Sequence, residues 1–308
     1  MIEVKNLTKI YNQVPAIQNL NFKLQKGEIV GLLGLNGSGK TTTLRILTGF
    51  LIPSEGEVLI ENISHFTNPI EAKRMIGYLP ETPPLYEDLQ IEDYLRYVAR
   101  LKGIVSEKIE TEVHRVLEKT NLIEKRSTLI GHISLGYRKR TGIAQALLGN
   151  QPIVVMDEPI SGLDPKQILD MRNLIKGLRG EHTVFISSHI LSELHKTCDR
   201  FLFLHQGELK FDLTREALDL ELGKFALLEI NLEGKSKEDL SRYLKSLDSN
   251  LEIISSEEDR MGCTFTLKSS SDKILINKVL ETIKIEGISL NTLKRQEVTL
   301  EQMFLTKM

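Results

Sequence analysis

A chain of 308 residues can build one large domain and a smaller one. Forty basic against 42 acidic side chains leave a net charge of -2, without the basic surplus that marks a nucleic-acid binder, and 41% apolar with 27% charged residues is an ordinary globular composition. Cys198 and Cys263 stand far apart in unrelated contexts, which excludes a zinc site made of cysteines alone and points to a reducing compartment.

Residues 2–7 and 17–24 alternate apolar and polar side chains, as half-buried strands do. The start "MIEVKNLTKIY" is charged and is not expected to be a signal peptide. "EIVGLLGL" (28–35) is nearly all apolar and reads as a strand buried on both faces. Its part from about Ile29 to Leu35 is also the longest interior uncharged apolar run, far short of the ~20 residues that a membrane span needs. A glycine-rich turn follows, then a helical run over 40–49. "EGEVLIENI" and "MIGYLPE" read as further strands, and 88–102 and 106–119 as helices, the latter with Ile109, Val113, Val116 and Leu117 on one face. "PIVVMDEP" (152–159) and "HTVFISSH" (182–189) are two more buried strands. Strands alternating with helices imply a mainly parallel sheet with helices on both faces.

After residue 212 the pattern changes. A short helix over 213–222 leads to strand, helix, two strands about a turn, helix and strand. That βαββαβ order predicts a ferredoxin-like α+β unit. The expected division is therefore a larger α/β domain, 1–212, and a smaller α+β domain, 213–308.

"GLNGSGKTT" (34–42) matches G-x-x-x-x-G-K-[ST] in full, between an apolar strand and a helix. A triphosphate needs several backbone N–H donors converging on it, and glycines let the chain curl that closely. Gly34, Leu35, Asn36, Gly37, Ser38, Gly39, Lys40, Thr41 and Thr42 are thus the expected ATP-binding residues. Lys40 reaches the β- and γ-phosphates, and the Thr41 hydroxyl is a ligand for Mg²⁺. In "IVVMDEP", Asp157 ends a buried strand where it can hold Mg²⁺ through water. Glu158 follows, on the opposite side of the backbone if the strand continues, and a carboxylate there can act as general base on the attacking water.

"GLNGSGKTT", "ISLGYRKRTGIAQALL", "IVVMDEPISGLDP" and "VFISSH", in that order, resemble the motif set of the ABC-transporter ATPase subunits, over residues 1 to about 212. The S-x-G-Y-R form of the signature, and a tail ending "VTLEQMFLTK", resemble the branch that works with separate ABC-2-type permeases and carries a small appended domain. The resemblance implies a P-loop NTPase fold with an antiparallel N-terminal β subdomain and a helical subdomain. It implies Mg²⁺-dependent ATP hydrolysis in a homodimer that drives an integral membrane permease, with the chain peripheral on the cytoplasmic face of the membrane. It assigns the signature Ser134, Leu135, Gly136 and Tyr137 to the nucleotide of the other subunit. Tyr11 would stack on adenine, Asp164 would lie in an interface loop beside Glu158, and His189 would contact the γ-phosphate and water. Three departures stand out: Leu35 in place of a common proline, Leu135 and Tyr137 in place of glycine and glutamine, and Glu81 where glutamine is usual, beside the metal. A soluble ABC ATPase acting on nucleic acid or ribosomes is the alternative, but the chain has one cassette, no sustained heptads and no basic surplus. The stretch "TPPLYEDL" after Glu81, stiffened by Pro83 and Pro84, is the expected permease contact.

Overall fold

The structure, a computed structural model, describes residues 1–223, 226–247, 251–259, 262–269, 272–282 and 287–296. The tail "VTLEQMFLTK" lies outside the described residues. The chain divides into two compact units, Met1–Arg215 and Glu216–Met308.

The first unit opens with β1 (Ile2–Tyr11) and β2 (Val14–Leu24), antiparallel and both longer than their alternation predicts. Then come β3 (Ile29–Leu33), α1 (Lys40–Leu47), β4 (Glu55–Ile60), β5 (Ile63–Ser64), α2 (Pro69–Arg74) and β6 (Ile76–Leu79). Helices α3 (Ile91–Leu101) and α4 (Ser106–Lys119) precede α5 (Leu135–Leu147). The unit closes with β7 (Ile153–Asp157), α6 (Pro165–Lys176), β8 (Thr183–Ser188), α7 (Leu191–Thr197), β9 (Arg200–His205) and β10 (Glu208–Thr214).

Two sheets form. A four-stranded antiparallel sheet runs β2-β1-β4-β5, and a six-stranded sheet runs β10-β9-β3-β8-β7-β6. In the second, β9, β3, β8, β7 and β6 are parallel and β10 alone is antiparallel, on the edge. Strands β3, β7 and β8 are buried at every residue, which is why each reads as an unbroken apolar run. Helix α1 contacts β2 on one sheet and β7 and β8 on the other, and its Leu44, Ile46 and Leu47 join one core with Ile2, Leu20, Val155 and Phe185. The rings of Phe22 and Phe185 meet in that core at 5.8 Å. Helices α3, α4 and α5 pack on one another, and α5 lies against β6.

The unit boundary falls after Arg215, three residues beyond the expected 212. Strand β10 continues to Thr214, and the Arg215 N–H and Nε donate to the carbonyls of Asp199 (2.9 Å) and Cys198 (3.0 Å), so this stretch is tied to the first unit. Helix α8 (Arg215–Gly223) follows. The second unit has β11 (Ala226–Glu233), α9 (Lys237–Leu247), β12 (Glu252–Asp259), β13 (Gly262–Ser269), α10 (Asp272–Thr282) and β14 (Ser289–Gln296). Its sheet order β12-β13-β11-β14 is antiparallel throughout, the arrangement of a ferredoxin-like unit. Leu228, Ile230, Leu240, Leu244, Phe265 and Leu267 form a core of its own.

Candidate nucleotide site

The loop between β3 and α1 is shaped by Gly39, the N-cap of α1, at φ 105° and ψ 3°. A Cβ there would stand 2.5 Å from Ile17 Cγ2 and 2.7 Å from the Ala16 carbonyl, so both the backbone angle and the space require glycine. The loop is braced from behind by the β9–β10 hairpin. Its two-residue turn has Gln206 and Gly207 both at positive φ (48° and 81°), a twist that suits a tight hairpin. Gly207 N–H donates to the Ser38 carbonyl (3.1 Å), and Gln18 N–H donates to the Gly207 carbonyl (2.8 Å). No carboxylate stands in the first turn of α1, so the partial positive charge of its N-terminus is unopposed there.

In front of the loop lies an open cleft of about 310 Å³, lined by Ala16, residues 36–42, Glu81, Glu158 and His189. Lys40 is buried, and its Nζ donates to the carbonyls of Gly34 (2.7 Å) and Leu35 (3.3 Å). Burial lowers the Lys40 pKa, and the carboxylates of Glu158, Asp157 and Glu81 act against that shift. Among the described residues Ser38 Oγ is buried with no hydrogen-bond partner, packed close to Gly34. Leu35 is 59% exposed, so its side chain takes no part in shaping the loop.

Strand β7 ends at Asp157, and the chain does not continue as a strand through Glu158. Glu158 instead takes the left-handed conformation, φ 48°, uncommon for a residue with a side chain. The expected reversal of side is thus made by a turn and not by pleating. Its main chain is held at both ends: Glu158 N–H donates to Ser187 Oγ (3.0 Å), and Lys139 Nζ donates to the Glu158 carbonyl (2.6 Å). The same carbonyl accepts from Ser161 N–H (3.2 Å), closing a turn. Ser187 Oγ in its turn donates to Asp157 Oδ1 (2.5 Å), and β7 and β8 set Asp157 opposite Ser187. Glu158 Oε2 lies 2.9 Å from His189 Nδ1. An ionised carboxylate only accepts, so Nδ1 carries the proton in that bond. Asp157 is 2% exposed and is not among the residues lining the cleft, so the expected metal ligand lies buried, next in sequence to Glu158, which does line it.

The remaining expected residues lie outside this cleft. Ser134 is exposed and caps α5 without a side-chain bond, Leu135 is exposed, and Gly136 is buried against Gln167. Tyr137 is half-buried, with the Arg140 guanidinium 5.8 Å from its ring centre. Asp164 caps α6, its Oδ1 accepting from Gln167 N–H (2.8 Å). Tyr11 is exposed at the end of β1 with Lys9 Nζ 5.3 Å over its ring, and it does not line the cleft.

Sequence reasoning missed Ser187 and Lys139. Ser187 carries no motif, and its partner became apparent only with the register of β7 against β8. Lys139 does have a signal: it falls at helical spacing between Gly136 and Ile143, all three on the buried face of α5.

The donors fit a magnesium ion. Among the described residues no three acidic, histidine or cysteine side chains could hold a metal by themselves. Magnesium is bound by one or two protein oxygens together with waters and substrate phosphates, and Thr41 and Glu81 put hard oxygens at the cleft.

Fold and cleft together define a P-loop nucleotide-binding protein. The family described as ABC transporter matches residues 17–161. The bacitracin transport ATP-binding protein BcrA of Bacillus licheniformis is 37% identical over 239 residues, 77% of this chain and 76% of that protein. Among solved structures, an ATP-binding subunit of an ABC transporter superposes with a TM-score of 0.65 at 30% identity, covering 79% of this chain and 98% of that one. The dimeric post-hydrolysis state of the ATP-binding cassette MJ0796, bound to ADP and Pi, superposes with a TM-score of 0.63 at 28% identity, covering 70% and 99%. The chain belongs to the ABC-transporter ATP-binding family, and it is an ATP-hydrolysing subunit of such a transporter.

Proposed function

We propose that this chain is the ATPase subunit of an ABC-2-type exporter, acting as a homodimer on the cytoplasmic face of the membrane to drive a separate permease. The observation that carries the shared site is the placement of Ser134. It stands exposed at the mouth of α5, beyond the cleft of its own chain, with no carboxylate in the first turn of that helix. An exposed hydroxyl at a helix N-terminus suits a phosphate brought by a second subunit. The dimeric form of the related MJ0796 cassette supports this reading. The S-x-G-Y-R signature, the appended α+β unit and the likeness to a bacitracin transport ATP-binding protein support the exporter branch.

In this reading Lys40 exchanges the carbonyls of Gly34 and Leu35 for the β- and γ-phosphates, and backbone N–H groups of 36–42 cradle the chain of phosphates. Thr41 and Glu81 would hold Mg²⁺, with Asp157 behind them, and the ion supplies charge neutralisation on the phosphates. Glu158 takes the proton of the attacking water, while His189, fixed through Nδ1, orients the carboxylate. Ser134 and Gly136 close the γ-phosphate of the partner's nucleotide. Hydrolysis removes the group both subunits hold, and the clamp opens.

The test is Glu158→Gln, which keeps the side chain's shape and removes the base. ATP binding should persist, turnover should fall at least about 100-fold, and a nucleotide-bound dimer should accumulate in gel filtration. Hydrolysis near the wild-type rate would remove Glu158 from the chemical step.

A further inference from the structure

Lys139 is a buried lysine, 3% exposed, in the first turns of α5. Its Nζ reaches the main-chain carbonyl of Glu158 at 2.6 Å. That residue holds a left-handed backbone angle with a full side chain, a conformation that persists only where its surroundings over-determine it. Ser187 supplies the constraint on the N–H side; on the carbonyl side the local Ser161 N–H (3.2 Å) closes the turn, and Lys139 is the donor that reaches it from another element. Helix α5 is itself seated close to the site: Gly142 packs so near that a Cβ there would stand 2.5 Å from Leu79 Cδ1 and 3.1 Å from Pro83 Cβ, on either side of Glu81. The ammonium also lies within the electrostatic reach of Glu81, Glu158 and Asp157.

We infer that Lys139 is a positioning residue for hydrolysis: by clamping the Glu158 carbonyl from the helix that carries the Ser134 signature, it holds the Glu158 carboxylate at the phosphate cleft. A long aliphatic stem crosses the buried face of α5, and a single donor at its tip fixes a strained residue on another element. The clamp also joins the two functional ends of one chain. This inference rests on the reading of Glu158 as the base.

The experiment compares Lys139→Met, Lys139→Arg and Glu158→Gln in the full chain, measuring kcat, KM for ATP and the melting temperature. Lys139→Met keeps the stem and removes the donor. Its kcat should fall by about tenfold to a hundredfold, the cost of a catalytic group displaced by about an ångström. Its KM should stay within about threefold of wild type, since the cleft contacts to the phosphates are intact. Lys139→Arg, which keeps a charged donor, should recover most of the rate. Should Lys139→Met fail to fold, Lys139→Leu removes the same donor with less bulk and carries the same expectations. A wild-type kcat in the donor-less variant, with Glu158→Gln inactive, overturns the clamp and leaves the base in place. Rapid hydrolysis by Glu158→Gln overturns the reading beneath it as well. Restoration of Lys139→Met by an added Glu81→Gln would assign Lys139 to charge balance and also overturn positioning.

Discussion

Ser187→Ala is the sharpest probe of how the catalytic turn is held. The hydroxyl is fully buried between β7 and β8, donates to Asp157 Oδ1 at 2.5 Å and accepts from Glu158 N–H at 3.0 Å. Removing it strands a buried N–H, at about 1–3 kcal/mol, and deprives a buried carboxylate of a charge-assisted bond, at about 1.5–3 kcal/mol. Water entering from the cleft can satisfy part of this, so a net loss of about 3 kcal/mol is the working figure. For a unit the size of Met1–Arg215, each kcal/mol moves the melting temperature by about 2–4 °C, which gives a drop of about 6–12 °C. Activity measured well below the new melting temperature should fall as well, because Glu158 loses the N–H side of its clamp and keeps only the carbonyl-side bonds from Lys139 and Ser161. Differential scanning calorimetry followed through the first unit's transition, with phosphate release at 20 °C, makes the comparison. A melting temperature within 2 °C of wild type together with an unchanged kcat would refute the idea that Ser187 holds this turn.

Two further predictions follow from the same structure. His65 and His182 are buried, and burial, with the charge of Lys73 for His65, lowers both pKa values from about 6.5. For His182 the bond to the Gln151 carbonyl and the charge of Glu181 oppose burial, and Lys119 and Arg115 reinforce it. A lowered folded-state value means that the unfolded chain takes up the proton first. Stability should therefore be full above about pH 6.5 and fall as the pH drops below it, by up to about 1.4 kcal/mol per pH unit for each ring. Melting temperatures between pH 7.5 and 5.5 check this, and a flat profile would contradict it. At the expected permease contact "TPPLYEDL" Tyr86 is 53% exposed, and on α3 Tyr97 and Leu101 are 40% and 68% exposed, whereas Leu89 is half-buried and its carbonyl accepts from Ile130 N–H. Tyr86→Asp with Leu101→Asp should release the subunit from membranes that contain its permease while basal ATPase survives; retained, coupled association would reject this surface.

The parts of the fold that were legible in the sequence are those where one physical requirement acts alone. Strands β3, β7 and β8 are buried on both faces, so nothing polar interrupts them. Helix α4 shows its apolar stripe because it covers the first unit with one side only. The phosphate loop is legible because Gly39 admits no other residue. What was not legible depends on neighbours distant in sequence. Glu158 read as one more strand residue, since the hydroxyl and ammonium that stabilise its left-handed backbone come from residues 187 and 139. Lys139 lies in the basic run "RKR", and nothing in the sequence names its partner, although its spacing from Gly136 and Ile143 places it inward. Ser187 was indistinguishable from Ser188 until the register against Asp157 was known.

In the proposed dimer each nucleotide is hydrolysed by residues of two chains, Lys40 and Glu158 from one and Ser134 from the other. A mixed dimer of Lys40→Ala with Ser134→Arg tests it most directly, because the shared arrangement gathers both lesions into one site and leaves the other intact. ATP hydrolysis by purified heterodimers, compared with the two mutant homodimers, is the measurement. Inactive homodimers are expected, with a heterodimer that retains one working site and clear ATPase activity. A heterodimer as inactive as its parents, although assembled and able to bind ATP, would contradict it.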